Sequence, residues 1–395
     1  MPRFEPFAAL RYAPGTDWDA VIAPPYDVLS DAQVTALAAR SRHNVVHIDV
    51  PSAPPGQDRY AVAARLLEDW VSDAILVADA EPSLTIYRMR FTDPTGADRR
   101  LVGVLGALQV VDEGAPGVLP HERTTPKAST DRLDLTRATR ANLSPVWGLA
   151  LAGGLTDLLA EPGEAMGSLV VDGVEHVAER VTDPARIAAI AAVVDSDDVL
   201  IADGHHRYGV ARQYREEVRA ATGRTDTPAE STLAFVNELV ADQLSIDAIH
   251  RLVGGMSLPE IRATLARDFD LEPAPEPGPA LLADLTRRGR LALLTVDGSA
   301  WWLVPKAAAF DGIRDLDGAW LEHTFAGTPA TLDYQHGLAE VQAALADGRA
   351  EAAILIRPTS LAEIERTARE GLLMPPKSTF FTPKLRTGLV LRPLG

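Results

Sequence analysis

The sequence predicts an α+β fold with multi-layer mixed sheets. Stretches with helical and with strand periodicity follow one another without the regular alternation of a doubly wound sheet. Two turn patterns, at residues 93–96 and at Asp172-Gly173, are each flanked by strand-like runs, which is typical of antiparallel hairpins. The length of 395 residues suits two or three domains, and a hydrophobic content of 46% supplies a large core.

The first half of the chain is predicted to contain short alternating elements. Ser30 is a suitable N-cap for the helix that follows it. Residues 113–130 are rich in Gly and Pro and lack periodicity, so we expect a loop there. The expected elements are helix 32–40, strand 44–50, helix 59–72, strands 83–91 and 100–111, helix 131–142, hairpin 168–180 and helix 184–194.

The second half contains the most linker-like segment of the chain. Repeated prolines between residues 272 and 280 support neither a helix nor a central strand. The expected elements are core segments 231–241 and 244–252, helix 259–268, strands 290–296 and 300–305, and a β-α-β unit from 352–356, 360–371 and 389–394. We therefore expect an N-terminal α/β region (1–112), a core (113–255) and a C-terminal α+β region (256–395) that packs back on the core.

The composition excludes several classes of protein. A net charge of −17 argues against nucleic-acid binding, which depends on clustered Lys and Arg. The absence of cysteine excludes disulfides, thiolate zinc sites and thiol catalysis. No run approaches the ~20 apolar residues of a membrane span, and the N-terminus lacks the apolar segment of a signal peptide. We expect a cytoplasmic protein that binds small molecules and neither nucleic acid nor membrane, and its oligomeric state stays open.

Residues 199–212 carry the strongest functional signal. The apolar run 199–202 predicts a buried strand that stops at Asp203-Gly204, where an amphipathic helix begins at once. Such a helix start has free N–H groups and the positive end of the helix dipole, and therefore binds phosphate. The alternative is an ordinary turn with Asp203 as N-cap, but three successive cationic or donor residues favour an anion. The candidate phosphate-binding residues are Asp203, Gly204, His205, His206 and Arg207.

A second cluster lies in the predicted loop at residues 119–127. It combines an imidazole (His121), a carboxylate, hydroxyls and two cations within nine residues. Glu122 is a suitable general base for a hydroxyl nucleophile, and Lys127 can neutralise a transferred phosphate. The same residues also fit surface ion pairs and helix caps, and composition alone leaves the two interpretations equal.

The scarcity of lysine draws attention to a third cluster, at residues 373–388. Only Lys127, Lys306, Lys377 and Lys384 occur among 38 basic residues, and all four follow a proline. Because lysine is a common point-charge partner of phosphate, we expect Lys127 and at least one of Lys377 and Lys384 to face the same cleft as Arg207. The candidate substrate-binding residues are Lys377, Ser378, Thr379, Lys384 and Arg386; the alternative is a rigid loop anchored by Phe380 and Phe381.

A dedicated metal site is not expected. His205 and His206 are adjacent and point in different directions on a helix. His43 and His47 fall in a predicted strand, where residues at this spacing lie roughly 13 Å apart. Mg²⁺ carried in by a nucleotide, ATP or ADP, is the expected metal. Pro24-Pro25-Tyr26-Asp27 is interpreted as a structural turn.

Four of these motifs, taken together and in this order, resemble the bacterial and archaeal family known as domain of unknown function 1015. The motifs span nearly the whole chain. They are Pro24-Pro25-Tyr26-Asp27-Val28, His121-Glu122-Arg123-Thr124, Ile201-Ala202-Asp203-Gly204-His205-His206-Arg207 and Met374-Pro375-Pro376-Lys377-Ser378-Thr379. The family name implies little biochemistry.

Residues 112–220 also resemble the ParB/sulfiredoxin-like superfamily, especially its free-serine kinases. The resemblance rests on a His-Glu loop, a helix and a strand that ends in Asp-Gly-His-His-Arg. It implies that residues 113–255 form a ParB/sulfiredoxin-like phosphate-binding core, that Glu122 is the catalytic base, and that residues 203–207 bind nucleotide phosphates. The absence of cysteine excludes sulfiredoxin chemistry, and the acidic charge argues against a ParB-type DNA clamp.

The function expected from these observations is that of an enzyme, a phosphotransferase with an alcohol group as acceptor. A Mg²⁺-nucleotide would bind at residues 203–207, and Glu122 would take the proton from the acceptor hydroxyl, with free L-serine as the best guess. His121 and Lys127 complete the expected catalytic set. The alternative is a non-catalytic nucleotide-binding regulatory or sensor protein of the ParB-like type.

Overall fold

The computed structural model of the chain contains two compact units. The described residues are 1–94, 96–122, 127–375 and 377–395, with the side chains of 127–129 left out. The N-terminal unit comprises Met1–Leu244 together with Pro383–Gly395, and the C-terminal unit comprises Ser245–Thr382. The C-terminal unit is therefore inserted in the chain before the last strand of the N-terminal unit.

The N-terminal unit combines a large sheet with helices and smaller strand pairs. Its helices are α1 (Trp18–Val21), α2 (Asp31–Arg40), α3 (Val46–Asp49), α4 (Arg59–Ser72), α5 (Lys127–Thr139), α6 (Leu155–Ala160), α7 (Pro184–Val194) and α8 (His205–Thr222), with 3₁₀ turns at Tyr26–Val28 and Pro228–Glu230. Its strands before the insertion are β1 (Phe4–Glu5), β2 (Leu10–Tyr12), β3 (Leu76–Ala78), β4 (Leu84–Thr92), β5 (Asp98–Gln109), β6 (Val118–Leu119), β7 (Ala141–Asn142), β8 (Val146–Ala150), β9 (Glu164–Val171), β10 (Val174–Val181), β11 (Val199–Asp203) and β12 (Ser231–Glu238).

The large sheet is mixed and places β11 between two neighbours. Among the described residues it has nine strands in the order β6-β11-β8-β12-β5-β4-β10-β9, with β1 paired to β5. Strand β11 runs parallel to β6 and antiparallel to β8. Residues 199–202 are buried on both faces, which explains their unbroken apolar run. The unit therefore combines helices with a sheet of parallel and antiparallel strands, which confirms the predicted α+β class.

The helix α8 follows β11 after a single residue and packs on the sheet. Tyr208 and Ala211 on this helix belong to the same buried cluster as Val199 and Ile201 of β11. These positions are three apart on the helix and two apart on the strand, as expected for one buried face of each element. The junction between β11 and α8 is therefore fixed from both sides by apolar packing.

The C-terminal unit contains a second sheet. Its elements are β13 (Ser245–Asp247), β14 (Ile249–Gly254), α9 (Leu258–Asp268), β15 (Phe269–Pro273), α10 (Pro279–Arg288), β16 (Leu291–Thr295), β17 (Ala300–Pro305), α11 (Asp317–Phe325), β18 (Thr331–His336), α12 (Leu338–Ala346), β19 (Ala352–Leu355), α13 (Leu361–Arg369) and β20 (Phe380–Thr382). The last strand of the chain, β21 (Arg392–Pro393), pairs with β7 in the N-terminal unit.

Helices cover both faces of the second sheet. Its described strands have the order β15-β17-β16-β19-β14-β18. Ala292 and Leu294 of β16 belong to the cluster that includes α10 and α12, whereas Leu291 and Leu293 belong to the cluster that includes α9 and α11. This alternation of period two produces three layers, helix–sheet–helix. No helix in the described part of the chain is both long and apolar enough to cross a membrane.

The boundaries of the two units differ from the three regions expected from the sequence. Residues 1–112 and 113–244 share one sheet, because β5 pairs with β12. The proline-rich segment 272–280 lies inside the C-terminal unit, where Pro273 ends β15 at a sheet edge and Pro279 opens α10. The prediction of a β-α-β motif near the end of the chain is wrong. Residues 389–394 belong to the N-terminal unit, whereas β19 and α13 belong to the C-terminal unit.

Two local predictions in the first half are also corrected. Residues 44–50 do not form a strand but contain α3, because the Asn44 side chain accepts a hydrogen bond from the Val46 N–H at 3.0 Å and turns the chain. The helix expected over 131–142 spans Lys127–Thr139 and is followed by β7. The helices expected at 59–72 and 184–194 have the predicted bounds.

Close packing at Gly106 provides a test of the large sheet. A Cβ at Gly106 in β5 would overlap the ring of Phe4, which is only 1% exposed. Gly106→Ala should therefore lower the free energy of unfolding by about 1–3 kcal/mol in urea denaturation. Gly209→Ala is the control: it lies inside α8, and its Cβ would meet no described atom within 4 Å, so it should raise stability by about 0.5–1 kcal/mol. Equal destabilisation by both substitutions would contradict the packing.

Candidate functional site

The first turn of α8 lacks a cap of its own. Gly204 is the N-cap residue, with φ 87°, and no side chain of the described residues caps the helix there. The first turn also contains no acidic residue. The helix of 18 residues therefore begins with N–H groups and a positive dipole end that favour an anion.

The turn at this position requires glycine for two reasons. Its φ lies in the left-handed region, which costs other residues roughly 1–2 kcal/mol. In addition, a Cβ at Gly204 would lie 3.0 Å from both Nε and Cζ of Arg207. The guanidinium thus packs directly against the glycine at the start of the helix.

Arg207 is a buried cation at the same helix start. One of its terminal nitrogens donates to the Pro145 carbonyl, and Nη2 lies 2.7 Å from Asp203 and 4.0 Å from Asp27. Burial opposes the charged form, but Asp203 and Asp27 raise the pKa of Arg207 above its ordinary value. Its Nε is buried and has no partner among the described residues. An unsatisfied donor of this kind is costly unless a ligand or water accepts from it.

Asp203 joins two cations at the end of β11. Its Oδ2 accepts from Arg207, and its Oδ1 lies 3.3 Å from Nζ of Lys384. Burial alone would raise the pKa of Asp203, but Lys384 and Arg207 outweigh it and hold this pKa well below its usual range. The carboxylate therefore stays ionised and fixes both cations beside the helix start.

Two imidazoles meet beside the turn, and burial favours the neutral form of both. The rings of His121 and His205 meet edge to face with centroids 4.7 Å apart. Burial lowers the pKa of His121 to about 4, and burial followed by the neighbouring His121 lowers the pKa of His205 well below its ordinary value. His121 Nδ1 donates to the Ile201 carbonyl at 2.7 Å. His205 Nε2 accepts from the His121 N–H at 3.4 Å, so the proton of its neutral ring is on Nδ1, where it can be donated.

The other residues of the His-Glu cluster are only partly described. Glu122 is partly buried and directly follows His121, which contacts His205 through both ring and backbone. The side chain of Lys127, which opens α5, lies outside the described residues. His206 is partly buried in the first turn of α8.

The sequence interpretation missed a contribution from the N-terminal motif. Tyr26 and Asp27 form a 3₁₀ turn beside Arg207, and the Arg132 guanidinium lies 4.1 Å from the centre of the Tyr26 ring. Arg132 also donates to Oδ1 of the buried Asp49 at 3.2 Å. Burial raises the pKa of Tyr26 to about 12, so the phenol keeps its proton. The sequence signal was a phenol and a carboxylate directly after two prolines, but no neighbouring residue indicated that Arg132 and Arg207 contact them.

The C-terminal candidates separate into two sets. Lys384 lies in the N-terminal unit beside Asp203. Arg386 lies in the same unit, where its Nη2 donates to Asp172 at 3.1 Å and its Nε donates to His176 at 3.4 Å, at the β9–β10 hairpin. Lys377, Ser378 and Thr379 belong to the C-terminal unit.

The described residues offer no resident metal site. They contain no group of three or more His, Cys, Asp or Glu side chains arranged to hold a metal ion. Both oxygens of Asp203 already face cations. The arrangement instead suits an anion, which backbone N–H groups, the Arg207 guanidinium and the Lys384 ammonium can contact together.

Comparison with known proteins gives one family match and several distant structural likenesses. A family model described as "Protein of unknown function (DUF1015)" matches residues 4–319, which confirms the family resemblance. The motifs at residues 24–28, 121–124 and 201–207 lie within this range, and the motif at residues 374–379 lies outside it. No curated protein matches the chain.

Three solved structures illustrate the distant likenesses. A free serine kinase variant in complex with AMP is 13% identical, with 67% of this chain and 84% of that chain covered and a TM-score of 0.39. SbnI with a C-terminal truncation, from Staphylococcus aureus, is 14% identical, with 73% and 87% covered and a TM-score of 0.40. A conserved hypothetical protein from Pyrococcus furiosus is 12% identical, with 67% and 87% covered and a TM-score of 0.37.

The role of the glycine turn can be tested with two alanine substitutions on one helix. Gly204→Ala should weaken pyrophosphate binding about tenfold or more in calorimetric titration, because its Cβ displaces Arg207. Gly223→Ala, at the other end of α8, has a similar φ of 68° and no described atom within 4 Å of its Cβ. Both substitutions should cost roughly 1–2 kcal/mol of stability, but only Gly204→Ala should lose affinity. Equal affinity in the two variants would exclude an anion at this turn.

The buried His121 predicts a pH dependence of stability. Because its pKa is about 4 in the folded chain and the ordinary value of a solvated imidazole is 6.5, the unfolded chain binds the extra proton between these values. The free energy of unfolding should fall by about 2 kcal/mol on this account when the pH drops from 7 to 5, and stay level above pH 7. His121→Gln, which keeps a donor for Ile201, should lose this part of the dependence. Urea denaturation at pH 7 and pH 5 measures this difference in unfolding free energy. The same difference in His121→Gln as in the native chain would contradict the prediction.

Proposed function

We propose that this chain, which belongs to the family of proteins of unknown function DUF1015, binds the phosphates of a nucleotide at the start of α8 and transfers one phosphoryl group to an acceptor hydroxyl. Free L-serine is the first acceptor to test, by the resemblance of the His-Glu and Asp-Gly-His-His-Arg motifs to those of free-serine kinases. ATP and ADP are the nucleotides to test first.

One observation carries the proposal: within the described part of the chain, no side chain caps the start of α8 and no group accepts from the buried Nε of Arg207 at the same turn. The helix start attracts a phosphate through its N–H groups, and Arg207 Nε offers a donor inside the protein. Lys384 adds a second cation beside Asp203. Phosphoryl transfer needs chiefly positioning and charge stabilisation, which these groups can supply.

Glu122 is the proposed general base. It follows His121, whose backbone N–H donates to His205 in the first turn of α8. The Glu122 main chain is therefore held close to the turn at Gly204, where we propose that phosphate binds. In the proposed step the Glu122 carboxylate takes the proton of the acceptor hydroxyl. The hydroxyl oxygen then bonds to the terminal phosphorus while the phosphorus–oxygen bond to the nucleotide breaks. The nucleotide leaves with the electron pair of that bond.

The residues present do not fit a resident Mg²⁺. Asp203 is held by Arg207 and Lys384, and the described residues contain no metal-ligating cluster. A Mg²⁺ ion that enters with the nucleotide needs few protein ligands, because phosphate oxygens and water fill most of its shell. The proposed step is therefore assigned to the side chains and N–H groups of the chain alone.

Nucleotide binding without turnover is the second candidate function. Asp203 forms ion pairs with Arg207 and Lys384. In a protein that senses an anion, the bound anion takes the place of the carboxylate in such an ion pair. In such a sensor or regulatory protein, Glu122 has no chemical role. The two candidates therefore differ in whether nucleotide is consumed and whether Glu122 matters.

The test is nucleotide consumption with a panel of hydroxy amino acids. ATP or ADP should be consumed only when an acceptor is present, and Glu122→Gln should reduce turnover at least about a hundredfold while nucleotide affinity changes less than about twofold. Glu113→Gln is the matched control, since the Glu113 side chain is 86% exposed and pairs with Arg212 at the surface; it should behave as the native chain. Binding without consumption, in the native chain as in Glu122→Gln, would favour the sensor.

A further inference from the structure

The Pro24-Pro25-Tyr26-Asp27 motif brings a carboxylate to the start of α8 that the proposed function does not use. Its two prolines restrict the backbone before the 3₁₀ turn over Tyr26–Val28. Just before them, the Ala23 N–H donates to the Thr387 carbonyl at 3.2 Å, and the Thr387 N–H donates to the Ala23 carbonyl at 2.9 Å. Lys384, which contacts Asp203, lies in the same segment as Thr387. This backbone bridge therefore joins the motif to a cation of the candidate site.

Tyr26 is fixed by a contact with Arg132. The Arg132 guanidinium lies 4.1 Å from the centre of the Tyr26 ring, and the same guanidinium donates to Oδ1 of the buried Asp49 at 3.2 Å. Because this anchored cation holds the ring, the backbone of the next residue is fixed as well. Asp27 therefore approaches Arg207 from a rigid segment.

The Asp27 carboxylate is only partly neutralised. Its side chain is 31% exposed, and its Oδ2 lies 4.0 Å from Nη2 of Arg207, which is beyond hydrogen-bond distance. The same nitrogen lies 2.7 Å from Asp203, so the closer contact belongs to the other carboxylate. Within the described ranges of the chain, no group donates a hydrogen bond to Asp27. A half-buried carboxylate of this kind attracts a cation that can donate hydrogen bonds to it.

A phosphate at the turn increases the need for such a cation. In the proposed function Arg207 contacts the phosphate, so that one positive charge serves Asp203, Asp27 and the phosphate together. Asp27 and the phosphate then repel each other unless a further cation lies between them. A substrate that carries its own positive charge supplies this cation when it binds.

An ammonium group suits this position better than a metal dication. A cation on Oδ2 of Asp27 lies near the Arg207 guanidinium, which repels a double charge twice as strongly as a single charge. An ammonium has three N–H donors, so it can donate to Asp27 and to a phosphate oxygen at the same time. Mg²⁺ needs an octahedral set of ligands, and the described residues contain no group of three or more side chains arranged to hold a metal ion.

We propose that Asp27 binds the ammonium group of the acceptor, which is therefore an amino alcohol with the ammonium and the hydroxyl on neighbouring carbons. The inference rests on the proposed function and deepens it, because it names the chemical class of the acceptor and the residue that selects it. Only two carbon atoms separate the nitrogen from the oxygen in such a molecule. An ammonium on Asp27 therefore brings the hydroxyl close to a phosphate on Arg207, whose Nη2 lies 4.0 Å from this carboxylate.

Two acceptor analogues test the ammonium contact in the native chain. 3-Hydroxypropionate has the hydroxyl and the carboxylate of L-serine but lacks the ammonium. In calorimetric titration of the full chain in the presence of ADP, L-serine should bind at least about tenfold more tightly than 3-hydroxypropionate. Equal affinity for the two compounds, or binding of neither, would overturn the proposal.

Asp27→Asn assigns this preference to one residue. The substitution removes the charge and keeps the shape, so L-serine binding should weaken at least about tenfold, whereas the affinities for 3-hydroxypropionate and ADP should not fall. Asp31→Asn is the matched control: Asp31 is exposed, lies four residues further along, and makes the same change of charge. It should bind all three compounds like the native chain. A loss of ADP affinity with an unchanged preference for L-serine would show that Asp27 only supports Arg207, and would overturn the proposal.

Two alternatives give different results in the same assays. If Asp27 held Mg²⁺, Asp27→Asn would weaken the binding of both acceptor analogues equally and excess Mg²⁺ would restore it, which would also overturn the ammonium contact. If phosphoryl transfer fails, no nucleotide is consumed with any acceptor. The binding preference for L-serine and its loss in Asp27→Asn remain measurable in that case, so the failure of the proposed function and the failure of this inference are distinguishable.

Discussion

The carboxylate of Asp203 holds two cations that come from different parts of the chain. Arg207 is four residues further along, in the first turn of α8, whereas Lys384 comes from the segment that follows the C-terminal unit. Because Arg207 folds back to reach Asp203, its guanidinium occupies the space that a side chain at position 204 would need. The ion pair therefore adds a second reason for glycine at a turn whose left-handed φ already favours it. An anion at this turn meets an arginine and a lysine that are already in place.

Much of this region could be predicted from the sequence because its determinants are local. An apolar run of strand length, a glycine and an amphipathic helix follow one another within residues 199–214, and the structure contains β11 and α8 at these positions. The hairpin turn at Asp172-Gly173 could be predicted equally well, because an Asp-Gly pair tolerates the positive φ that both residues adopt between β9 and β10. The strand expected at 44–50 failed since a side-chain hydrogen bond of Asn44 decided the backbone, and periodicity does not report such bonds.

The remaining parts of the candidate site depend on long-range contacts that a single sequence does not reveal. Nothing in Tyr26-Asp27 indicates Arg132 or Arg207 as a partner, and these contacts arise only when distant segments fold together. The third cluster illustrates the same limit: its lysines looked equivalent, but the division of the chain falls between positions 377 and 384. The proline-rich composition marks the end of β15 and the start of α10 and not a boundary between units, because proline restricts the local backbone and carries no information on tertiary packing.

The return of residues 383–395 to the N-terminal unit has a consequence for biosynthesis. Leu391 pairs with Leu10 near the start of the chain, and β21 pairs with β7. A ribosome releases the first 244 residues well before this segment, with the whole C-terminal unit made in between. During that interval the nascent N-terminal unit has Asp203 and Arg207 but lacks Lys384. The turn at Gly204 thus acquires its second cation only after the whole C-terminal unit has been made.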